Sequence, residues 1–289
     1  MDYSFIIPHK NNPELLRKCI NSIPHFDGVE IIVVDDNSSS EFVDFDNFPG
    51  AEDPYVRLIF TIEGRGAGYA RNIGVKESQG KWLIFADADD YFTSSLEGKM
   101  REFCADDHDV VFFKASSVKL LDGSPSWRNL EFNRRVDIAL SKGDYTLPLL
   151  FSSPWAKFFK RDFVVQNQIF FNEVRWGNDV VFMGRIAVSA RNCIADGATV
   201  YCITESDGSL IKTTTLESAL VRFKQECENV CILRNSRFVE EPSIYYWLLY
   251  TWLEVWKIRK CRAFICLPRA CYSGRIAFVK ELFRVKRGK

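Results

Sequence analysis

Acidic side chains concentrate in two short segments, each placed after an apolar run. Residues 29–34 are followed by Asp35-Asp36-Asn37-Ser38-Ser39, and residues 82–85 are followed closely by Asp87-Ala88-Asp89-Asp90. Carboxylates this close repel one another unless a cation neutralises them, and hard oxygen ligands favour Mg²⁺ or Mn²⁺. A cation that only one or two carboxylates hold keeps coordination positions free for substrate phosphates. The segments therefore indicate metal-assisted chemistry on a phosphate-containing substrate; the alternative is that these acids cap loops and helices.

Strands of one sheet must position these acids. Four short apolar runs are bounded by turn residues, and we predict buried strands at residues 3–7, 29–34, 56–61 and 81–86. Nearly continuous apolar strands that alternate with helices predict a parallel sheet covered on both faces. Ligands of such sheets bind beyond the carboxyl ends of the strands. The two acidic segments should therefore share one crevice with the segment that follows the first strand, Pro8-His9-Lys10-Asn11.

Two helices are predicted between these strands. The first begins at Pro13 with Asn12 as its N-cap, and the second spans residues 68–78 and is closed by Gly80. A glycine-rich segment, residues 63–68, leads into the second helix, and its glycines allow close backbone approach. Arg71 on that helix is suited to pairing with a phosphate or stacking on a base.

The pattern changes in the second half of the chain. We predict a further strand at residues 109–115 and a helix over residues 178–190. From about residue 216 the pattern is mostly helical, with breaks at Pro242, Pro268 and Gly274.

Composition excludes several classes of protein. The chain has 289 residues, of which 47% are hydrophobic and 26% charged, and this excludes wholesale disorder and collagen-like repeats. The 38 basic and 38 acidic residues cancel, which argues against a nucleic-acid partner. Nine cysteines without a CxxC pair indicate reduced thiols, and neither a secretory signal nor a membrane-spanning run is evident. We expect a cytoplasmic protein.

Four motifs follow one another in order and at familiar spacing: Ser4-Phe5-Ile6-Ile7-Pro8, Ile32-Val33-Val34-Asp35-Asp36-Asn37-Ser38, Ala70-Arg71-Asn72-x-Gly74 and Gly80-Lys81-Trp82-Leu83-Ile84-Phe85-Ala86-Asp87-Ala88-Asp89-Asp90. Together they resemble the nucleotide-sugar-binding half of family 2 glycosyltransferases, which have the GT-A fold. Two later segments resemble the acceptor half of that family: Pro154-Trp155-x-Lys157-Phe158-Phe159-Lys160-Arg161 and Trp176-Gly177-Asn178-Asp179-x-x-Phe182. The resemblance covers roughly residues 3–190.

The resemblance implies an α/β fold with a Rossmann-like, mostly parallel central sheet, flanking helices and a helical C-terminal extension. A GT-A catalytic domain would span residues 1–215, divided into a nucleotide-sugar-binding half (1–115) and an acceptor half (116–215). Residues 216–289 would form a helical segment rich in basic and aromatic residues.

The resemblance also implies roles for the matching positions. Asp36 would contact the uracil or ribose, Asp89 would ligate the metal ion together with Asp87, and Asp179 would be the catalytic base. The whole nucleotide-sugar set would be Pro8, His9, Asn11, Asp35, Asp36, Gly66, Arg71, Asp87 and Ala88, and the acceptor set would be Trp155, Lys157, Trp176 and Asn178. Lys10 stands where the family often has an aromatic residue, which makes His9 the candidate for base stacking. Asn178 replaces the usual Glu.

The implied activity is an inverting transfer that depends on Mn²⁺ or Mg²⁺. A sugar would move from a nucleoside-diphosphate sugar, a UDP-sugar by expectation, to a hydroxyl of a glycan or lipid-linked acceptor in surface polysaccharide synthesis. The metal ion and Arg71 would stabilise charge on the leaving diphosphate while Asp179 takes the acceptor proton. Two alternatives are a nucleotidyltransferase, which usually has a glycine-rich loop after the first strand, and a non-catalytic sugar- or membrane-binding module.

The net charge of zero hides an uneven distribution. Residues 243–289 hold 11 Lys or Arg and 2 Asp or Glu, a balance of +9, so the rest of the chain carries −9. This segment also contains the aromatic residues that favour membrane interfaces. One hypothesis is peripheral docking on the anionic inner face of the plasma membrane, where a lipid-linked acceptor would lie. The alternative is a helical face whose aromatic side chains pack on the catalytic domain.

Overall fold

The structure is a computed structural model that describes residues 1–206 and 215–259. Its strands are β1 (Tyr3–His9), β2 (Val29–Asp36), β3 (Val56–Thr61), β4 (Trp82–Phe85), β5 (Tyr91–Phe92), β6 (Val110–Lys119), β7 (Lys157–Lys160) and β8 (Cys193–Glu205). Its α-helices are α1 (Pro13–Asn21), α2 (Ala67–Glu77), α3 (Ser95–Phe103), α4 (Leu130–Lys142), α5 (Thr146–Leu149), α6 (Arg161–Gln166), α7 (Asn178–Ser189), α8 (Leu216–Leu233) and α9 (Tyr246–Arg259). A 3-10 helix, Pro242–Tyr245, precedes α9.

The described strands form one mixed sheet in the order β3-β2-β1-β4-β7-β6-β8-β5. β1 pairs in parallel with β2 and β4, and β2 pairs in parallel with β3, which confirms the parallel arrangement predicted for the first half of the chain. β7 runs antiparallel to both β4 and β6 and thereby joins the two halves of the sheet. β6 and β8 are parallel, and the short β5 is antiparallel to β8.

Alternating side chains of β2 explain why helices cover both faces of the sheet. Ile31 and Val33 belong to the main hydrophobic core. Ile32 and Val34 point to the opposite face, where they pack against Ala70 of α2. A strand that is buried on both faces reads as a continuous apolar run, as predicted.

The C-terminal part of the described chain is helical, as predicted. α8 and α9 pack on each other through a separate apolar cluster made of Ala219, Phe223, Cys227, Val230, Leu248, Trp252 and Val255. The break predicted at Pro242 is confirmed by the 3-10 helix that begins there. Pro268 and Gly274 lie outside the described residues, and the domain boundary after residue 215 stays a prediction.

Among the described residues, no helix combines the length and the apolar composition that crossing a bilayer requires.

The predicted start of α1 at Pro13 is confirmed, whereas the predicted end of α2 is wrong. Asn12 is the N-cap residue of α1, but its side chain makes no capping hydrogen bond. α2 ends at Glu77 with an extended Ser78 as its C-cap, so Gly80 does not close the helix. Gly80 is required instead for close packing on β1, because a Cβ atom there would lie 2.6 Å from the backbone nitrogen of Ser4.

We expect Gly80→Ala to destabilise the protein, because the added methyl group meets rigid backbone. Overpacking of this kind costs about 1–3 kcal/mol, and chemical denaturation with urea measures it. Gly98→Ala in α3 is the matched control, since a Cβ atom there meets nothing within 4 Å. The control should gain about 0.5–1 kcal/mol from helix propensity. Equal stability of the two variants would contradict the packing argument.

Candidate functional site

The parallel register brings three polar segments to one edge of the sheet. His9 at the end of β1 pairs with Asp35 at the end of β2, and Phe85 at the end of β4 pairs with Ile6. The segments that follow these strands are residues 9–12, 35–39 and 87–90. The predicted crevice is therefore formed at the carboxyl edge of β1, β2 and β4.

Hydrogen bonds join the loops that follow β1 and β2. His9 Nδ1 lies 2.8 Å from Asp35 Oδ2, and the backbone N–H of Asn12 donates to His9 Nε2 at 3.0 Å. An amide can only donate, so Nε2 carries the lone pair and Nδ1 donates its hydrogen to Asp35. Ser38 donates its backbone N–H and its hydroxyl to the same carboxylate, at 2.8 and 2.6 Å. Although burial raises the pKa of Asp35, the hydrogen bonds from His9 and Ser38 hold it below 3.8.

These contacts revise the role expected of His9. Its ring is 2% exposed, and Phe48 packs edge-on against it with the ring centroids 5.4 Å apart. Because the side chain is buried, neither ring face is exposed to stack on a base, contrary to the stacking role predicted for it. Asn11 accepts a hydrogen bond from Ser39 N at 2.8 Å, and Pro8 is partly exposed. His9 and Asn11 therefore shape the loop.

Asp36 is a buried carboxylate with one oxygen left without a partner. Its Oδ2 accepts a hydrogen bond from the backbone N–H of Gly66 at 2.7 Å, and Lys10 Nζ lies 3.9 Å away. Oδ1 is buried and has no hydrogen-bond partner. A buried acceptor left unpaired is costly, so this oxygen is suited to an N–H or O–H group of a ligand. Gly66 acts through its backbone, at a φ of 94°.

Arg71 connects the acidic segment after β4 to α7. The guanidinium is 6% exposed; it forms an ion pair with Asp87 and donates to Asn178 Oδ1 at 2.8 Å. Its central carbon lies 5.3 Å from the ring centroid of Phe171, and Nε has no hydrogen-bond partner. The positive charge is thus fixed between Asp87 and the first turn of α7.

The carboxylates of Asp87, Asp89 and Asp90 lie within 4.8 Å of one another. Burial and the neighbouring charge of Asp87 raise the pKa of Asp89 to about 6. Burial and the same acidic neighbours raise the pKa of Asp90 well above its usual value. Like charges at this spacing in a partly buried site, all on hard oxygen atoms, fit a divalent cation such as Mg²⁺ or Mn²⁺.

Asp179 lies in the first turn of α7, behind the left-handed N-cap Gly177, whose φ is 68°. Burial raises the pKa of Asp179 to about 6, although the Arg71 charge lowers it, and the Asp87 charge adds to the rise. A carboxylate with this pKa is ionised at neutral pH and is still a usable proton acceptor. Its position beside Arg71 brings a candidate base next to the acidic segment.

Two residues predicted to contact an acceptor belong to the core instead. Trp155 is 6% exposed and its ring stacks on Tyr201 at a centroid distance of 6.0 Å. Lys157 is 0% exposed and donates to Ser153 O at 2.6 Å, with its Nζ 4.3 Å from the centroid of the Phe132 ring. Burial holds the pKa of Lys157 well below its usual range. Neither side chain offers a surface to an acceptor.

The other two acceptor candidates stay close to the site. Trp176 is half-buried, and the Arg175 guanidinium lies 5.0 Å from its ring centroid. Asn178 is 9% exposed and is held by Arg71.

Ala88, predicted for the nucleotide-sugar set, is partly exposed between Asp87 and Asp89.

Sequence reasoning missed residues that enter the site from distant elements. Arg128, before α4, donates to Thr204 O at 3.4 Å, and its charge lowers the pKa of Asp89. Glu226 on α8 has its pKa raised to about 8 by burial and by the charge of Asp179. Tyr201 on β8 contacts both Asp87 and Asp90. No local motif marks these positions; the only signal is the β-forming run around Tyr201.

Comparison with known proteins identifies relatives of the chain. The family model described as "Glycosyl transferase family 2" matches residues 4–166. The poly(ribitol-phosphate) beta-glucosyltransferase of Bacillus spizizenii is 27% identical over 216 residues, which are 72% of this chain and 33% of that protein. The uncharacterized glycosyltransferase YibD of Escherichia coli is 28% identical over 194 residues, 62% of this chain and 56% of that protein. The chain thus spans from 33% to 56% of the length of these two relatives.

A solved structure has the same fold. The crystal structure of S. aureus TarS 1-349 in complex with UDP-GlcNAc matches with a TM-score of 0.65 and 18% identity. The match covers 94% of this chain and 78% of the other. The predicted GT-A fold is thereby confirmed.

The charge arrangement predicts how Mn²⁺ affects stability. The pKa of Asp89 is about 6 in the folded chain, against an ordinary value of 3.8. As the pH rises from about 4 to about 6, ionisation of Asp89 therefore lowers the free energy of unfolding of the metal-free protein. Asp89→Asn should therefore stabilise the metal-free protein at pH 7.5 by an amount on the order of 1–3 kcal/mol. Mn²⁺ at a hundredfold excess over its dissociation constant should stabilise the wild type by about 2.7 kcal/mol.

Thermal unfolding at pH 5 and 7.5 with and without Mn²⁺ measures both effects. The wild-type response to Mn²⁺ should be larger at pH 7.5, and Asp89→Asn should lose it. Asp122→Asn, at an exposed turn acid, is the control and should respond as the wild type does. The same Mn²⁺ response in wild type and Asp89→Asn would contradict a cation site at the acidic segment.

Proposed function

Since the chain belongs to glycosyl transferase family 2, we propose that it transfers a sugar from a UDP-sugar to a hydroxyl of a glycan or lipid-linked acceptor in surface polysaccharide synthesis. The observation that carries the proposal is the Arg71 bridge, in which one buried guanidinium contacts both Asp87 and Asn178. This bridge holds the acidic segment against the first turn of the helix that carries Asp179. A donor diphosphate bound at the acidic segment and an acceptor hydroxyl bound near Asp179 would thus lie on opposite sides of the Arg71 side chain.

The nucleoside would bind over the ends of β1 and β2. The unpaired Oδ1 of Asp36 is suited to accept a hydrogen bond from an N–H group of uracil or from a ribose hydroxyl. The Gly66 N–H fixes the other carboxylate oxygen, and the backbone there leaves room for close approach. TarS, named as a poly(ribitol-phosphate) beta-N-acetylglucosaminyltransferase, was crystallised with UDP-GlcNAc, which supports a UDP-sugar donor.

Asp89, together with Asp87, would hold a divalent cation, Mn²⁺ or Mg²⁺, on the diphosphate. The bound ion would supply positive charge that stabilises the leaving nucleoside diphosphate. Arg71 adds a second positive charge that is already oriented in the protein and needs no rearrangement. The shared preference of hard cations for carboxylate and phosphate oxygens supports this assignment.

Asp179 would be the general base. Its pKa of about 6 leaves it ionised at neutral pH and able to take the proton of the attacking hydroxyl. The attack would displace the diphosphate directly, so a single displacement would invert the configuration at the anomeric carbon. The acceptor would lie near Trp176 and Asn178, the two candidates that border the helix carrying the base.

We also propose that the C-terminal segment contacts the anionic inner leaflet of the membrane. One face of α9 packs on α8 through Leu248, Trp252 and Val255, whereas Tyr246, Trp247 and Tyr250 are exposed, with fractions of 57%, 45% and 45%. Lys257 is exposed farther along the same helix. Aromatic and basic side chains on one surface favour the headgroup region of a bilayer. Among the described aromatic residues of the segment, Trp252 and Tyr245 pack in the interior, and the packing alternative does not account for the exposed rings.

Release of UDP from a panel of UDP-sugars, with and without Mn²⁺, tests the proposed activity. Asp179→Asn should lower kcat by about 10²–10⁴-fold, because the base is lost while the nucleotide contacts are kept. The wild-type kcat should fall as pH drops below about 6, since Asp179 becomes protonated there.

Asp162→Asn is the matched control, because Asp162 is another acid in the first turn of a helix and its side chain is 68% exposed. It should keep the wild-type kcat. Pyrophosphate release from UTP and a sugar phosphate, without UDP release from any UDP-sugar, would favour a nucleotidyltransferase. Unchanged turnover in Asp179→Asn would remove Asp179 as the base.

Co-sedimentation with vesicles of phosphatidylcholine and phosphatidylserine tests the membrane proposal. We expect the double variant Trp247→Ala, Tyr250→Ala to bind anionic vesicles several-fold more weakly than the wild type, because both exposed rings are lost. Trp127→Ala removes a tryptophan that is 79% exposed elsewhere on the protein, so it is the control and should bind normally. Equal binding by all three proteins, or no wild-type binding, would rule out docking through this face.

A further inference from the structure

The Tyr201 hydroxyl is buried next to the acidic segment that follows β4, residues 87–90, and contacts the first and last residues of that segment. The residue is 0% exposed; its oxygen accepts a hydrogen bond from the Asp87 backbone N–H at 3.0 Å and donates to Asp90 Oδ2 at 2.8 Å. A phenol carries a single hydrogen. Since that hydrogen goes to Asp90, a lone pair is left to face Asp87. One hydroxyl therefore joins the first and last residues of the segment.

Asp90 differs from its two acidic neighbours in where it faces. It is 3% exposed, and its second oxygen accepts the backbone N–H of Thr204 at 2.7 Å. The Thr204 hydroxyl donates to the backbone carbonyl of Asp89. Both oxygens of Asp90 thus have protein donors, whereas the Asp87 side chain is 40% exposed. Asp90 supports the segment from below.

The aromatic core fixes the orientation of Tyr201. Trp155 stacks on its ring at an interplanar angle of 7°, and Phe92 packs edge-on with the centroids 5.2 Å apart. The Trp155 carbonyl in turn accepts a hydrogen bond from the buried Lys157 at 3.4 Å. A ring held on several sides cannot turn its hydroxyl away from the acidic segment. The buried residues of the Pro154–Lys160 region thereby connect to the site through Tyr201.

We propose that Tyr201 and Thr204 are positioning residues for a divalent-cation site, acting through the Asp90 carboxylate and the backbones of Asp87 and Asp89 to hold the carboxylates of Asp87 and Asp89 at the spacing that a cation requires. Asp90 is a support in this arrangement and not a metal ligand. The inference rests on the cation site of the proposed function. Outer partners that orient metal ligands commonly change metal affinity or activity by about 10–100-fold when they are removed. An effect of that size separates a positioning role from ordinary packing.

Tyr201→Phe is the direct test, because it removes one oxygen and keeps the ring packing. Mn²⁺ binding by the full chain in the presence of UDP, followed by the electron paramagnetic resonance signal of free Mn²⁺, should weaken by about tenfold or more. In turnover assays, excess Mn²⁺ should restore most of the lost kcat. Tyr3→Phe is the matched control, since Tyr3 is 1% exposed and its hydroxyl donates to the Met100 carbonyl of α3.

Thr204 provides a second pair of variants in case Tyr201→Phe folds poorly. Thr204→Ser keeps the hydroxyl and should bind Mn²⁺ as the wild type does, whereas Thr204→Val should weaken binding. Wild-type Mn²⁺ affinity in Tyr201→Phe, or in Thr204→Val if the first variant does not fold, would overturn this proposal and leave the proposed function intact. Absence of Mn²⁺ binding by the wild type itself would overturn this proposal together with the Mn²⁺ site of the proposed function, whereas the proposed sugar transfer is overturned only if no UDP is released.

Discussion

Electrostatic repulsion among carboxylates at one edge of the sheet is the constraint that organises the structure. Asp87, Asp89 and Asp90 lie within 4.8 Å of one another, and burial together with the charge of Asp87 raises the pKa of Asp89 to about 6. Such a cluster is unfavourable unless other groups hold it in place. Arg71 neutralises it from α2, and hydrogen bonds from β8 hold it from below. The parallel register of β1, β2 and β4 then brings residues 9–12 and 35–39 to the same edge.

The first half of the fold was predictable because its signals are local. Strands buried on both faces appear as continuous apolar runs, and turn residues mark their ends. The acids follow those strands directly, so placing the strands also placed Asp36, Asp87 and Asp89. Gly80 was misread because two different physical needs, a helix end and a close backbone approach, select the same residue. Only the contact with Ser4 distinguishes them.

The contacts that the second half of the chain makes with the candidate site could not be predicted from local sequence patterns. Tyr201 reaches Asp90 across 111 residues, and Arg71 reaches Asn178 across 107. A lysine in a motif suggests an exposed cation, yet Lys157 is fully buried, because backbone carbonyls and aromatic faces replace its water shell. Trp155 is likewise the layer between Lys157 and Tyr201 and not a sugar platform. The side chains of Trp155 and Lys157 in this motif are thus part of the core that packs against Tyr201.

The charges that shape the acidic segment also act on the candidate base. The Asp87 charge contributes to the raised pKa of Asp179, and the Arg71 charge opposes it. A cation that neutralised Asp87 would remove the first effect and would lower the pKa of Asp179. By linkage, deprotonation of Asp179 and occupation of the cation site then favour each other, because each reduces the cost of the other. Arg71, which contacts Asp87 and the residue before Asp179, opposes the effect of Asp87 with its positive charge. A candidate base coupled in this way would be ionised most readily when the cation site is occupied, so its ability to accept a proton would depend on the charge that the cation neutralises.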